Sequence, residues 1–165
     1  MTGFIVNAEF PFSRLIDGKT YRPLLPITII NPENGLDDFA WAIIDTGADR
    51  STFPEYIAKR LYHDIKNTKA QCDIVNTVGS CIRVYKHTFS IKIHAMTLSG
   101  SNIVVGQPVI DIPKMLVDVV PVETENKSGE KVTTGFNQVL LGVDDFLGNY
   151  ILTIDYPRKM FSLRQ

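Results

Sequence analysis

A mainly β fold, barrel or sandwich, follows from three features of the chain. Short apolar runs rich in Val, Ile, Phe and Tyr recur between clusters of Gly, Pro, Asn and Asp. One of them, Cys81 to Met96, alternates inward candidates at Ile82 and Val84, then at Phe89, Ile91, Ile93 and Ala95, which is the two-residue period of a strand. Only two short stretches carry helical signals. With 165 residues and no internal repeat, the chain reads as one domain, 1–165, large enough to bury roughly two-thirds of its unfolded surface.

The elements can be justified in order. Ile5, Ala8, Phe10 and Phe12 alternate loosely and lead to a turn at Asp17-Gly18-Lys19. Tyr21 to Ile30 ends in β-branched residues, while Pro23 and Pro26 confine its beginning to an edge or an irregular entry. Asn31 to Gly35 is turn chemistry, and Phe39 to Ile44 is the returning strand of a hairpin that delivers Asp45. Pro54 suits the first turn of a short helix to Leu61, with Ile57 and Leu61 on one face. Gln71 to Val75 and Cys81 to Met96 flank a second hairpin tip at 76–80. Ile103 to Val105 and Leu116 to Val120 read as short strands broken by Gly106-Gln107-Pro108, and Glu123 to Gly135 as a polar excursion with its tip at 126–129. Gln138 to Gly142 is an apolar strand ending in glycine. Val143 to Leu147 suits one or two helical turns closed by Gly148-Asn149. Ile151 to Asp155 and Lys159 to Leu163 form a last hairpin.

Composition excludes several classes. A net charge of −1 gives no electrostatic case for nucleic acid or an anionic membrane surface. No apolar stretch is long enough to span a bilayer, and residues 1–10 lack the basic and apolar regions of a signal peptide, so a cytoplasmic location is expected. Cys72 and Cys81 could face each other across a hairpin centred between Asn76 and Thr77, but a reducing compartment argues against a bridge. His63, His87 and His94 show no metal-ligand spacing, and neither a metal nor a cofactor is expected.

The chemistry concentrates in Ala42-Ile43-Ile44-Asp45-Thr46-Gly47-Ala48-Asp49-Arg50-Ser51-Thr52-Phe53. An apolar strand ends on a carboxylate and turns through a glycine that permits close backbone approach. Asp-Thr-Gly alone would equally serve an Asx turn between strands. In this longer context it resembles the active-site signature of the aspartic proteases, and Gly-Ala-Asp resembles that of their single-lobe, retropepsin-like branch, cellular or element-encoded. Arg22-Pro23-Leu24 stands before the active-site hairpin as in that family, Ile74 to Val84 resembles its flap, and Leu140-Leu141-Gly142 resembles its apolar-apolar-glycine element. Two departures stand out: Val143 replaces the arginine common after that glycine in viral members, and residues 97–136 look like an insertion.

The resemblance implies a closed single-lobe barrel with a flap hairpin and one or two short helices. It implies catalytic roles for Asp45, Thr46 and Gly47, and contact of Ala48, Asp49, Val78, Gly79 and Ser80 with an extended peptide. It also implies support of a dimer by Arg22, Leu141 and Gly142. Peptide hydrolysis of this kind needs two carboxylates sharing a proton, and the chain has a single Asp-Thr-Gly. The expected assembly is a homodimer with one Asp45 from each copy on the two-fold axis. The alternative from another class is a catalytically silent dimer of the same fold that binds extended peptides.

Overall fold

Backbone pairing dominates the computed structural model, which describes residues 7–14, 20–65, 72–77, 80–126 and 128–165. The strands and helices in chain order are β1 (Asn7–Pro11), β2 (Leu24–Ile30), β3 (Asp37–Ile44), β4 (Thr52–Pro54), α1 (Glu55–Arg60), β5 (Cys72–Thr77), β6 (Ser80–Ser99) and β7 (Asn102–Val120). β8 (Glu123–Glu125), β9 (Lys131–Thr133), β10 (Val139–Leu141), a 3₁₀ turn (Leu147–Asn149), β11 (Ile151–Asp155) and β12 (Met160–Arg164) follow. The protein is mainly β, as its sequence leads one to expect. Among the described residues no helix is long and apolar enough to cross a membrane.

The larger sheet runs β2-β3-β10-β4-β7-β6-β5, and β2 also pairs with β6, so the pairings of six strands come back to their starting strand. β1, β12 and β11 form a separate three-stranded sheet. The alternation in β6 explains why this arrangement is stable. Phe89, Ile91 and Ile93 are fully buried, while Ser90 and Lys92 point the other way, and Ile91 and Ile93 pair on one side with Ile29 and Ile27 of β2. Phe53 meets Phe89 at 5.3 Å between ring centroids, and Phe10 stacks on its cross-strand partner Phe161 at 5.1 Å.

Three expectations are corrected. Residues 102–120 are one strand of 19 residues rather than two short ones broken at Gly106-Gln107-Pro108. The ladder to β6 absorbs these residues through register shifts around His94, opposite Pro108, because a bulge tolerates a residue without an N–H. A Cβ at Gly106 would make a tight contact there, 3.3 Å from the Ala95 side chain. The second correction concerns the cysteines. Thr77 pairs with Ser80, a register centred about two residues later than expected, which puts Cys72 opposite Tyr85 and Cys81 opposite Asn76. An offset of about four residues is roughly 13 Å along a strand, beyond the reach of a disulfide. Third, Val143 to Phe146 is a turn and the helical piece is the 3₁₀ turn at Leu147–Asn149. Leu147 N–H donates to Gly142 O and Gly148 N–H to Val143 O, closures five residues long that are wider than an α-turn. The turn expected at 17–19 lies outside the described residues.

Behind α1, His63 packs on Phe89 (4.4 Å between centroids) and edge-on to His87 (5.2 Å). Burial pushes its pKa down and the nearby His87 adds to this, with Glu33 opposing. A folded-state value below the unfolded one means that the unfolded chain takes up the proton first as pH falls. Its stabilising contribution is full above the unfolded value of about 6.5 and is lost as pH drops below it. Melting followed by circular dichroism should therefore give a lower Tm on the acidic side of that value, and His63→Gln should shrink the difference. An undiminished difference in the variant refutes this assignment.

Candidate active site

Asp45 is placed by two neighbours that are far apart in the chain. β3 pairs on one side with β2, Leu24 opposite Ile43, and on the other with β10, which lies parallel to it with Leu141 opposite Ile44. One residue beyond the strand, Asp45 N–H donates to Leu141 O at 3.0 Å, so Leu141 fixes the backbone of the acid. Gly47 N–H donates to Asp45 Oδ1 at 2.9 Å and Ala48 N–H to Asp45 O at 3.3 Å. A Cβ on Gly47 would lie 3.3 Å from Asp45 Oδ1, a tight contact against the carboxylate that this N–H holds. Asp45 Oδ2 has no hydrogen-bond partner among the described residues. Asp45 and Ala48 are half-buried, while Thr46, Gly47 and Asp49 are exposed.

The second half of the loop is zipped to the segment after β10. Val143 N–H donates to Ala48 O at 2.9 Å and Asp144 N–H to Asp49 O at 2.7 Å. Ser51, fully buried, gives its N–H to both carboxylate oxygens of Asp145 (2.9 and 3.0 Å) and its hydroxyl to Asp145 Oδ1 at 2.7 Å. The same hydroxyl accepts from Gly142 N–H at 3.0 Å. Such charge-assisted bonds are stronger than neutral ones, and a buried hydroxyl left without them would be costly. Gly142 is required for another reason. A Cβ there would lie 2.3 Å from the Arg50 carbonyl carbon and 2.6 Å from its oxygen.

Arg50 extends the clamp to β7. Its Nη2 donates to Leu116 O at 3.1 Å, and its Nε sits 3.4 Å from Asp118 Oδ2, a carboxylate only 1 % exposed. Asp118 N–H in turn donates to Ser51 O. Sequence reasoning missed Arg50, Ser51, Asp118 and Asp145. The only available signal was the polar pair Asp144-Asp145 directly after the apolar-glycine element.

An open groove of about 540 Å³ lies beside Asp45. Arg22, Ile43, Asp45 and Leu140 line it together with residues 134–138, the first three of which end the segment read from sequence as an insertion. Arg22 is exposed, and its backbone forms a two-bond bridge with Ser13 (2.8 and 2.9 Å). It shares the groove with Asp45, whereas the dimer support expected of it involves a second copy and lies beyond a single chain. Among the described residues, Asp45 is the sole carboxylate lining this groove.

The expected flap is the β5–β6 hairpin. Val78 and Gly79 lie outside the described residues, and of Ser80 only its place at the start of β6 is described. The stem of this hairpin is braced by the β8–β9 hairpin: Thr124 Oγ1 donates to Arg83 O at 2.8 Å, and Ile82 and Val84 pack with Val120, Val132 and Phe136. Phe136 also lines the Asp45 groove, so one side chain touches both the stem and the acid's surroundings. No group of three or more His, Cys, Asp or Glu side chains suited to a metal occurs among the described residues.

No protein-family model and no curated protein matches the chain. A solved structure described as a retropepsin-like aspartic protease from Rickettsia conorii is similar at 17% identity and a TM-score of 0.47, with 98% of this chain and 94% of that one covered.

Proposed function

We propose that the protein is a retropepsin-like aspartic endopeptidase, a single domain over residues 1–165 that acts as a homodimer. The observation that carries the proposal is the state of Asp45: one carboxylate oxygen is held by Gly47 N–H, the other is unengaged among the described residues, and both belong to a loop clamped to β10 beside an open groove. One carboxylate per groove cannot serve as acid and base at once. Two copies of Asp45 facing each other supply both, since like-charge repulsion keeps one proton on the pair. The dyad takes a proton from water as the oxygen attacks the peptide carbonyl carbon, and gives a proton to the carbonyl oxygen. Collapse of the resulting diol breaks the C–N bond, and the leaving nitrogen takes up a proton.

In this reading Thr46, exposed at the turn, fixes one loop against its counterpart. Ala48 and Asp49 bond the substrate main chain, and Val78, Gly79 and Ser80 close over it as an added strand. Arg22 supports the partner's loop, while Leu141 and Gly142 hold Asp45 from below. The substrate is an extended peptide or an unfolded segment of protein, and neither metal nor cofactor takes part.

Mass in solution measured alongside cleavage of a peptide library tests this reading. The expected result is a particle of twice the chain mass whose cleavage rate per chain falls on dilution into the monomer range. A monomer that cleaves at a concentration-independent rate, or a dimer that cleaves no peptide, overturns the proposal.

A further inference from the structure

A second groove, of about 660 Å³, is lined by Tyr21, the neighbour in sequence of Arg22 in the first. Its walls come from the end of β1, the β11–β12 turn and the tip of the β6–β7 hairpin. Phe12, Leu98 and Ile103 supply apolar surface, and Leu98 is 58 % exposed. The charged side chains lining it are all cationic: Arg14, Arg158 and Lys159.

Two of these cations converge on one ring. Arg14 Cζ lies 4.0 Å and Lys159 Nζ 4.3 Å from the centroid of Tyr21, which is 39 % exposed. Attraction to the ring offsets part of the repulsion between them. Among the described residues no carboxylate pairs with either one, whereas Arg158 is already bonded to Asp155 at 2.6 Å. The arrangement is held by backbone. Phe12 N–H donates to Lys159 O at 2.7 Å, Ser13 and Arg22 exchange two bonds, and Phe12 packs edge-on to Tyr156. Lys159 adopts φ 53°, one of two non-glycine residues in the left-handed region among the described residues.

We infer that this groove binds an acidic segment of polypeptide, one that alternates carboxylates with apolar side chains. The carboxylates would neutralise Arg14 and Lys159, and the apolar side chains would cover Phe12, Leu98 and Ile103. An extended chain suits the place, because Asn102 and Ile103 at the start of β7 line the groove and pair only with β6 among the described strands. Polyphosphate ligands fit less well. Two cations without a carboxylate partner among the described residues, on a chain of net charge −1, cannot supply the many phosphate contacts on which nucleic acid affinity depends.

The inference stands apart from the peptidase reading and is tested without cleavage. Asp45→Asn protein is titrated into a fluorescein-labelled peptide of about twelve residues alternating Glu and Leu, long enough to run along the groove as one strand, and anisotropy is read. The expected result is saturable binding that weakens roughly fivefold to tenfold in Arg14→Gln/Lys159→Gln and is unchanged in a Lys131→Gln control, an exposed lysine on β9 away from this groove. Arg14→Gln alone, at an exposed residue outside the strands, should give a smaller loss in the same direction, and melting curves check that each variant is folded. Absence of binding, or equal affinity in the double variant, overturns the site. Tighter binding of a single-stranded oligonucleotide or of phosphatidylserine vesicles, lost in the same variant, overturns its assignment to peptide.

Discussion

Asp45→Asn is expected to lower peptide cleavage by roughly 10³-fold or more while leaving the fold intact. The amide can still accept the Gly47 N–H bond that now goes to Oδ1, so the turn survives. What disappears is the group that exchanges a proton with water, on both copies at once. A mixing experiment sharpens the result. If wild-type and Asp45→Asn chains are refolded together in equal amounts, random pairing leaves about a quarter of the dimers with two carboxylates. Cleavage should then fall to about a quarter of the value for an equal total of wild-type protein. A residual near one half would mean that each chain works alone and would end the shared-dyad mechanism.

The second large effect concerns stability. Gly142→Ala should cost about 3–5 kcal/mol, enough to unfold much of a marginally stable domain. The added methyl would sit 2.3 Å from the Arg50 carbonyl carbon and 2.8 Å from its Cα, atoms that cannot rotate away. Relief requires β10 to move off the signature loop, which would pull apart the Ser51–Asp145, Ala48–Val143 and Asp45–Leu141 bonds together. Urea unfolding gives the measurement. An unchanged midpoint would show that the close approach of Gly142 to Arg50 is absent in solution.

Legibility in the sequence followed the range of the interactions. The β2–β3 hairpin and α1 carry their own signals, turn residues after Ile30 and a proline before Glu55, and both lie where expected. Leu141 and Gly142 could be set against Asp45 only through the order of motifs in a resembling family. The pairing of Ser51 with Asp145 could not be read, because it spans 94 residues and leaves no local period beyond the polar pair Asp144-Asp145. β7 was cut in two because glycine and proline usually end a strand, and nothing local reveals that a long partner will absorb them in a bulge. The register of the β5–β6 hairpin slipped by about two residues for a related reason. Its centre is set by the strands it continues, and the polar residues at 76–80 fit either turn.

The parallel seat of β10 beside β3 also governs when the acid becomes usable. Ser51 and Gly142 meet across 91 residues, so the loop around Asp45 has its backbone partners only after a long stretch of chain has been made and has found its place. Non-local pairing of this kind closes late and slowly. At about 5–20 residues per second, a ribosome takes roughly 5–20 s to travel from Asp45 to Leu141. During that interval a growing chain carries the carboxylate without its clamp. In the peptidase reading, an unfinished copy would therefore be inert towards its neighbours on the polysome, with no separate inhibitor required.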